Sequence, residues 1–272
     1  MSIFSSAHAH TTYCDGKSTA AEMAKAAWER GFVSLGFSGH APQHFDTAYC
    51  MSMEGMEHYK AEVRALQKDY QGRMAIYLGI ERDRFACVPP GGFDYFIGSV
   101  HYIPWGEDFA PVDGDPVPLT RYLREECRGN GLLFAQRYFS LLRDYILTAR
   151  PAIIGHFDLV RKNNAVLHYL DEESRAYKAL ALEALEPLAQ TGAVLEVNTG
   201  AIGRGTMASP YPAPFLLEAW KQWGGEVMVN SDCHSADKID VYYPQAEEML
   251  RALGYDHAVR LGKSALWERF AL

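Results

Sequence analysis

The sequence predicts an α/β fold in which parallel strands close into a barrel covered by helices. Three observations carry that expectation. Short apolar runs alternate with helix-length amphipathic stretches from one end of the chain to the other, as parallel strands joined by crossover helices require. Seven or eight such strands in strict alternation favour a closed barrel over an open doubly wound sheet. The length of 272 residues suits one barrel of about 250 residues. No linker interrupts it, so residues 1–272 are expected to form a single domain.

Taken in order, a first strand is expected at 3–7. In the helix behind it, Thr19 and Glu22 form a T-x-x-E capping box, Met23, Ala24, Ala27 and Trp28 share one face, and Gly31 supplies a left-handed stop. After a strand at 33–37, Met56, Tyr59, Val63, Leu66 and Tyr70 recur at 3-4-3-4 spacing, which marks a helical stripe facing the core rather than a cofactor. Strands at 75–80 and 95–100 precede a stretch at 104–118 rich in Pro, Gly and Asp. It reads as an inserted loop over the barrel mouth. Helices at 132–148, 172–190, 214–223 and 243–253 are bounded by Pro151, by Gly192 and by strands at 152–155, 193–197 and 226–230, and a weaker strand is expected at 258–261.

Composition narrows the function classes. With 26 basic and 34 acidic side chains the formal charge is −8, unsuited to coating a nucleic acid backbone with Lys and Arg. Hydrophobic residues at 48% and charged residues at 22% exclude a disordered or low-complexity chain. No run approaches the roughly 18 apolar residues of a membrane span, and residues 1–10 lack the basic flank and apolar stretch of a secretory signal, so a cytoplasmic protein is expected. Cys14, Cys50, Cys87, Cys127 and Cys233 are odd in number and nowhere spaced C-x-x-C, which indicates neither a disulfide framework nor a cysteine-based zinc ribbon.

The histidines carry the chemistry. Of the ten, six fall just past an expected strand end, where a barrel of this kind keeps its reactive groups. His8 and His10 end the first strand as H-x-H, with Asp15 in the turn that follows; His40 ends the second, Glu81 the third, His101 the fourth, His156 the fifth, and Asp232 and His234 the seventh as D-x-H. Alternate residues of a strand face the same way, so each pair can present two ligands to one point. Taken singly, Asp15, Glu81 and Asp232 read as turn or core residues. Ligand-type residues after six of seven strands instead indicate a metal centre. Six imidazoles and three carboxylates suit Zn, Mn or Fe, and nine ligands exceed what one tetrahedral ion can use, so two or three divalent transition-metal ions are expected. His44, His58, His168 and His257 are assigned to surface or turn roles, with His44 near enough to His40 to reach a substrate.

The motifs HAHTTYCDG (8–16), GFSGHAP (36–42), GIERD (79–83), GSVHY (98–102), GHFD (155–158) and NSDCH (230–234) resemble, in order and over nearly the whole chain, those of the PHP (polymerase and histidinol phosphatase) superfamily, in its monofunctional histidinol-phosphatase branch. The resemblance implies a distorted TIM-like (β/α)7 barrel with a trinuclear metal centre at its mouth. It assigns one ion to His8, His10 and Asp232, with Glu81 bridging to a second on His101 and His156, and a third to Asp15, His40 and His234. Three such ions would add +6 to the −3 of the three carboxylates, leaving the mouth at about +3 despite the acidic chain.

The activity so implied is hydrolysis of L-histidinol phosphate to L-histidinol and phosphate in histidine biosynthesis. The expected step is attack of a metal-bridging hydroxide, with no covalent enzyme intermediate; Cys14 and Cys233, beside ligands and without a base, are not expected to act as nucleophiles. Arg161 and Arg204 are the candidate phosphate clamps, and Asn198, which shares a strand face with Glu196, is a candidate for orienting substrate or a metal-bound water. The substrate is expected to be a small phosphorylated molecule, with no nucleic acid or membrane partner, and the sequence leaves the oligomeric state open. Another small phosphate ester, a nucleotide or sugar phosphate, is the alternative substrate. A purely structural metal protein would not need nine ligands on separate loops, and an amidohydrolase-type site would need a strand-borne lysine that the chain lacks.

Overall fold

A computed structural model describes residues 4–263 and 266–272. In chain order the elements are β1 (Ser5–Ser6), α1 (Ala20–Glu29), β2 (Ser34–Phe37), α2 (Met53–Asp69), β3 (Ala75–Asp83), β4 (Tyr95–Ser99), β5 (Tyr102–Trp105), β6 (Asp108–Pro111), α3 (Pro116–Cys127) and α4 (Gly131–Ala149). There follow β7 (Ile153–Ile154), α5 (Asn164–Leu167), α6 (Arg175–Leu185), β8 (Val194–Asn198), α7 (Gly200–Gly203), α8 (Pro214–Gln222), β9 (Val227–Asn230), α9 (Tyr243–Ala252), β10 (His257–Leu261) and β11 (Trp267–Ala271).

Seven strands form one parallel sheet in the order β1-β2-β3-β4-β7-β8-β9. The ends of that sheet meet at one rim: Ala9 and Cys233 form a parallel bridge, and the His10 amide donates to the Cys233 carbonyl at 2.9 Å. Lower down, the Asn230 side chain replaces a strand partner by accepting from the Ala7 amide at 2.7 Å. The barrel is therefore nearly closed. Ile3, at the start of the expected first strand, lies outside the described residues.

Inside the barrel Tyr95 is buried with Ala7, Ile97, Ile153 and Met228. A Cβ at Gly36 or Gly79 would lie within 2.1 and 2.3 Å of the Tyr95 side chain, so glycine at both positions makes room for the ring, whose hydroxyl donates to the Ala7 carbonyl. The expected eighth strand forms as β10, but it does not join the parallel sheet. It pairs antiparallel with β11, and Ser34 and Tyr77, at the amino ends of β2 and β3, donate to the carbonyls of Leu261 and Gly262. Leu261 and Val259 pack against Ala7, Tyr95, Ile153 and Met228. The hairpin thus plugs the floor, leaving the opposite mouth for chemistry.

Outside, the helices follow their apolar stripes. Thr19 caps α1 with both halves of the capping box in place, and Gly31 turns the chain at φ +78°. Trp28 departs from expectation: it is 41% exposed, and Ala20 takes a place on the buried face. In α2 the buried residues are Met56, Tyr59, Val63 and Leu66, with Tyr70 as the half-buried C-cap. Helix α4 buries Phe134, Tyr138, Phe139, Leu142, Tyr145 and Ile146, each worth roughly 2–3 kcal/mol when removed from water.

The stretch at 104–118 is not one loop. Its first half belongs to the β5–β6 hairpin, and Asp115 caps α3 by accepting from the Val117 amide, with Pro116 at the first helical position. Only the segment from Val112 to Asp115 is irregular.

Candidate metal centre

Eight of the nine expected ligands reach the mouth from strand ends, and Asp15 from the turn after His10. Glu81 stands on β3 itself, while His8, His10, His40, His101, His156, Asp232 and His234 follow β1, β2, β4, β7 and β9. Ring centroids lie 4.2 Å apart for His10 and His234, 4.4 Å for His10 and His40, and 4.9 Å for His101 and His156. Asp232 turns back over the mouth with a left-handed backbone, φ +44°, which Asp tolerates better than most residues.

Three clusters emerge. Nε2 of His10 lies 3.1 Å from Asp232 Oδ1, and Nε2 of His8 lies 3.6 Å from the same oxygen and 3.3 Å from Glu81 Oε2. The other Glu81 oxygen lies 3.0 Å from His156 Nε2 and 3.4 Å from His101 Nε2, and these two nitrogens are 3.2 Å apart. Asp15 lies 3.0 Å from His234 Nε2 and 3.8 Å from His40 Nε2. His40 also places Nδ1 2.9 Å from Glu81, so it stands between two clusters. Glu81 faces His8 and His40 with Oε2 and His101 and His156 with Oε1, the reach a bridging carboxylate needs.

The donors fit divalent metal ions. Two ligands about 2.0–2.1 Å from a tetrahedral ion sit about 3.3–3.4 Å apart, close to the separations within the clusters. Nε2 of His8, Nε2 of His10 and Oε2 of Glu81 are buried without a hydrogen-bond partner, a costly state that coordination would relieve. Partners behind the ligands fix their orientation. Glu196 Oε1 lies 2.7 Å from His8 Nδ1, which places that proton on Nδ1 and turns Nε2 inward; Asp83 Oδ2 lies 3.2 Å from His101 Nδ1. Ser99 donates to Glu81 Oε1 at 2.7 Å.

Electrostatically the cluster behaves as a site shaped for cations. Burial opposes charge on His8, yet Glu196, Asp232 and Glu81 outweigh it and hold its pKa well above the usual value. Burial likewise opposes charge on His101, but Glu81 and Asp83 raise it to about 9. His10 goes the other way, to about 3, through burial and the neighbouring His234 and His40. Burial pushes the thiols of Cys14 and Cys233 up to about 12, which leaves neither with the thiolate a nucleophile needs.

The three candidate substrate contacts separate. Arg204 lines the cleft, donating to Asp232 Oδ2 at 3.1 Å and to the Asp232 carbonyl at 2.9 Å. Arg161 does not reach it. It is buried, and its guanidinium is taken up by Glu172 at 2.8 Å, Ser209 at 2.7 Å, Asp158 at 3.2 Å and the Pro210 carbonyl at 3.1 Å. Asn198 is fully buried behind the ligands: its amide donates to Glu196 and Asp232, and its Oδ1 accepts from Gly200. Arg161 and Asn198, expected as substrate contacts, thus sit outside the cleft lining, which holds Arg204 alone of the three. His44 is exposed and stands apart from the cleft lining, and His58, His168 and His257 are likewise away from it.

The cleft above the ligands encloses about 330 Å³, and its wall includes Asp46, Tyr49, Tyr102, Asp113 and Lys162. None of these was anticipated from sequence, nor was Asp83. For Asp83 a signal existed, because it stands two residues beyond Glu81 on the same face of β3. Lys162 is the immediate neighbour of the arginine that turns away.

The PHP domain model matches residues 6–200. This chain belongs to the PHP family. A PHP relative from Deinococcus radiodurans, named "Probable histidinol-phosphatase", is 32% identical over 259 residues, spanning 91% of this chain and 92% of the relative. The histidinol-phosphatase of Bacillus subtilis is 27% identical over 261 residues, 87% of this chain and 95% of its own. Among solved structures, histidinol phosphate phosphatase from Lactococcus lactis, complexed with Zn, L-histidinol and phosphate, superposes with a TM-score of 0.72 at 20% identity, covering 96% of this chain and 98% of that one. It shares the barrel.

Proposed function

We infer that this PHP protein is a histidinol-phosphatase, a metal-dependent phosphomonoesterase that converts L-histidinol phosphate to L-histidinol and phosphate in histidine biosynthesis. The observation that carries the reading is the bridging geometry of Glu81 between imidazole pairs at the mouth of the barrel. Relatives matched over nearly their full length bear that activity in their names.

We assign two or three ions, Zn, Mn or Fe, to the nine side chains. His8, His10 and Asp232 would hold one, His101 and His156 a second, and Asp15, His40 and His234 a third, with Glu81 shared between the first two. Ions bound there would supply Lewis-acid neutralisation of the phosphate oxygens and acidify water near neutral pH. The chain's own residues do the rest. Glu196 and Asp83 hold His8 and His101 in the tautomers that keep Nε2 free. Asn198 and Arg204 position Asp232, and Arg204, whose guanidinium edges the cleft, is the phosphate contact. Cys14 and Cys233 stay protonated, which favours direct attack of water on phosphorus.

We take residues 1–272 as one catalytic unit and place it in the cytoplasm, where its five free cysteines stay reduced. No helix among the described residues is long and apolar enough to cross a membrane. Phosphate release from L-histidinol phosphate, a nucleoside monophosphate and a sugar phosphate tests the substrate. At least a tenfold preference in kcat/KM for histidinol phosphate is expected; a smaller one would replace this substrate with a broader class of phosphate esters.

A further inference from the structure

The cleft lining falls into two chemical sets. One carries seven of the nine candidate ligands and Arg204; the other, here called the outer wall, carries Asp46, Tyr49, Tyr102, Asp113 and Lys162. With two carboxylates against one ammonium, the outer wall is net negative. An ester whose dianionic phosphate enters the metal side therefore meets negative charge with its leaving group. A second phosphate there would be repelled, whereas a cation would be welcomed.

Within that wall Asp113 is held most firmly. Its segment is tied at three points: the Val112 amide donates to the His101 carbonyl at 2.8 Å, and Asn163 Nδ2 donates to the carbonyls of Val112 and Gly114 at 3.1 and 3.2 Å. Lys162 Nζ meets Asp113 Oδ2 at 2.9 Å, and the Asp113 side chain keeps 24% exposure. Asp46 is a weaker candidate, since its Oδ2 already accepts from the Tyr102 hydroxyl and its loop is exposed. The loop bearing Asp46 and Tyr49 docks on the hairpin through Phe45, which stacks on Phe109 at 3.8 Å between ring centroids. Tyr49 and Tyr102 stand 6.1 Å apart, centroid to centroid, as aromatic faces for an apolar or cationic group.

We propose that Asp113, set by Lys162 and the tied segment, selects the leaving group by receiving a protonated amine carried beside the ester carbon, while Tyr49 and Tyr102 face the remainder of that group. The proposal rests on the histidinol-phosphate reading, since histidinol bears such an amine on the carbon next to its carbinol. It explains how a cleft whose metal side would accept any phosphate ester chooses among them.

The test is a ratio measured on the metal-replete protein: kcat/KM for L-histidinol phosphate over that for its deamino analogue, imidazolylpropyl phosphate. A ratio of at least about tenfold is expected in the unmodified protein, because a site built around a polar group rejects the analogue lacking it. In Asp113→Asn it should fall below about threefold. Asp113→Ser gives the same reading, so one folded variant suffices. A ratio that survives in the variants, including one in which both rates fall together, would overturn the proposal, as would its absence in the unmodified protein. The same ratio for ethanolamine phosphate over ethyl phosphate separates the two ideas: an Asp113-dependent preference there, with no turnover of histidinol phosphate, would reject that substrate and retain the role of Asp113.

Discussion

Glu196 gathers four donors on two oxygens: His8 Nδ1 at 2.7 Å and Asn230 Nδ2 at 3.0 Å on one, the His156 amide at 2.8 Å and Asn198 Nδ2 at 2.9 Å on the other. Glutamine in its place would turn an NH2 toward two donors. Glu196→Gln is therefore expected to lower metal affinity about 10–100-fold, measured by competition with a chromogenic chelator; unchanged affinity would remove Glu196 from the support of His8. At this scale the convergence of the candidate ligands was legible in the sequence because alternate residues at a strand end face one way, as His8 and His10 do. Arg161 and Lys162 were not. They are adjacent on a 3-10 turn (Leu159–Arg161 with Lys162 as its cap), and which of them points inward is decided by Glu172, Asp158 and Asp113, partners that no local pattern connects to them.

Among the elements, α4 gives a clean test of local coding. Asn130 accepts from the amides of Leu132 and Leu133 at its start, and the helix then lays its apolar stripe on the sheet. Asn130→Ala should cost about 1 kcal/mol of stability, read from urea unfolding, while kcat/KM for histidinol phosphate stays as it was. A loss of activity without loss of stability would show that the cap does more than start the helix. The parallel strands and long helices were legible from periodicity. Helix α3 was hidden because Asp115 and Pro116, which read as loop residues, are also the cap and first residue of a helix. The antiparallel role of β10 was hidden too, since an apolar run does not state its partner.

At the scale of the whole molecule, closing the barrel forces carboxylates and imidazoles into one space, and protons substitute for metal ions when the latter are stripped. His101 keeps its proton to about pH 9, although burial opposes it, because Glu81 and Asp83 outweigh burial. His8 and His234 are raised as well, against burial, by the carboxylates around them. A histidine raised above its unfolded pKa of about 6.5 stabilises the fold fully below that pH and ceases to as pH rises through its folded value. The Tm of metal-stripped protein should therefore fall between pH 6.5 and about 9. His10, held at about 3, has no charge to change in that window in the folded state. Metal binding runs the other way, since ligands must shed protons, so affinity should rise over the same range. Calorimetry of both forms reads the two trends, and a Tm of the stripped protein that climbs with pH would contradict them.

The barrel and the convergence of residues 8 through 234 on one mouth were legible from alternation and spacing; the two-sided chemistry of the cleft was not, because it arises from loops that meet only after folding. The centre itself is tested most directly by titrating metal back into stripped protein while following metal content and histidinol-phosphate turnover together. Two or three ions per chain, with turnover absent before addition and rising with occupancy, is the expected result. Full turnover without metal, or with a single ion per chain, would contradict a shared centre bridged by Glu81.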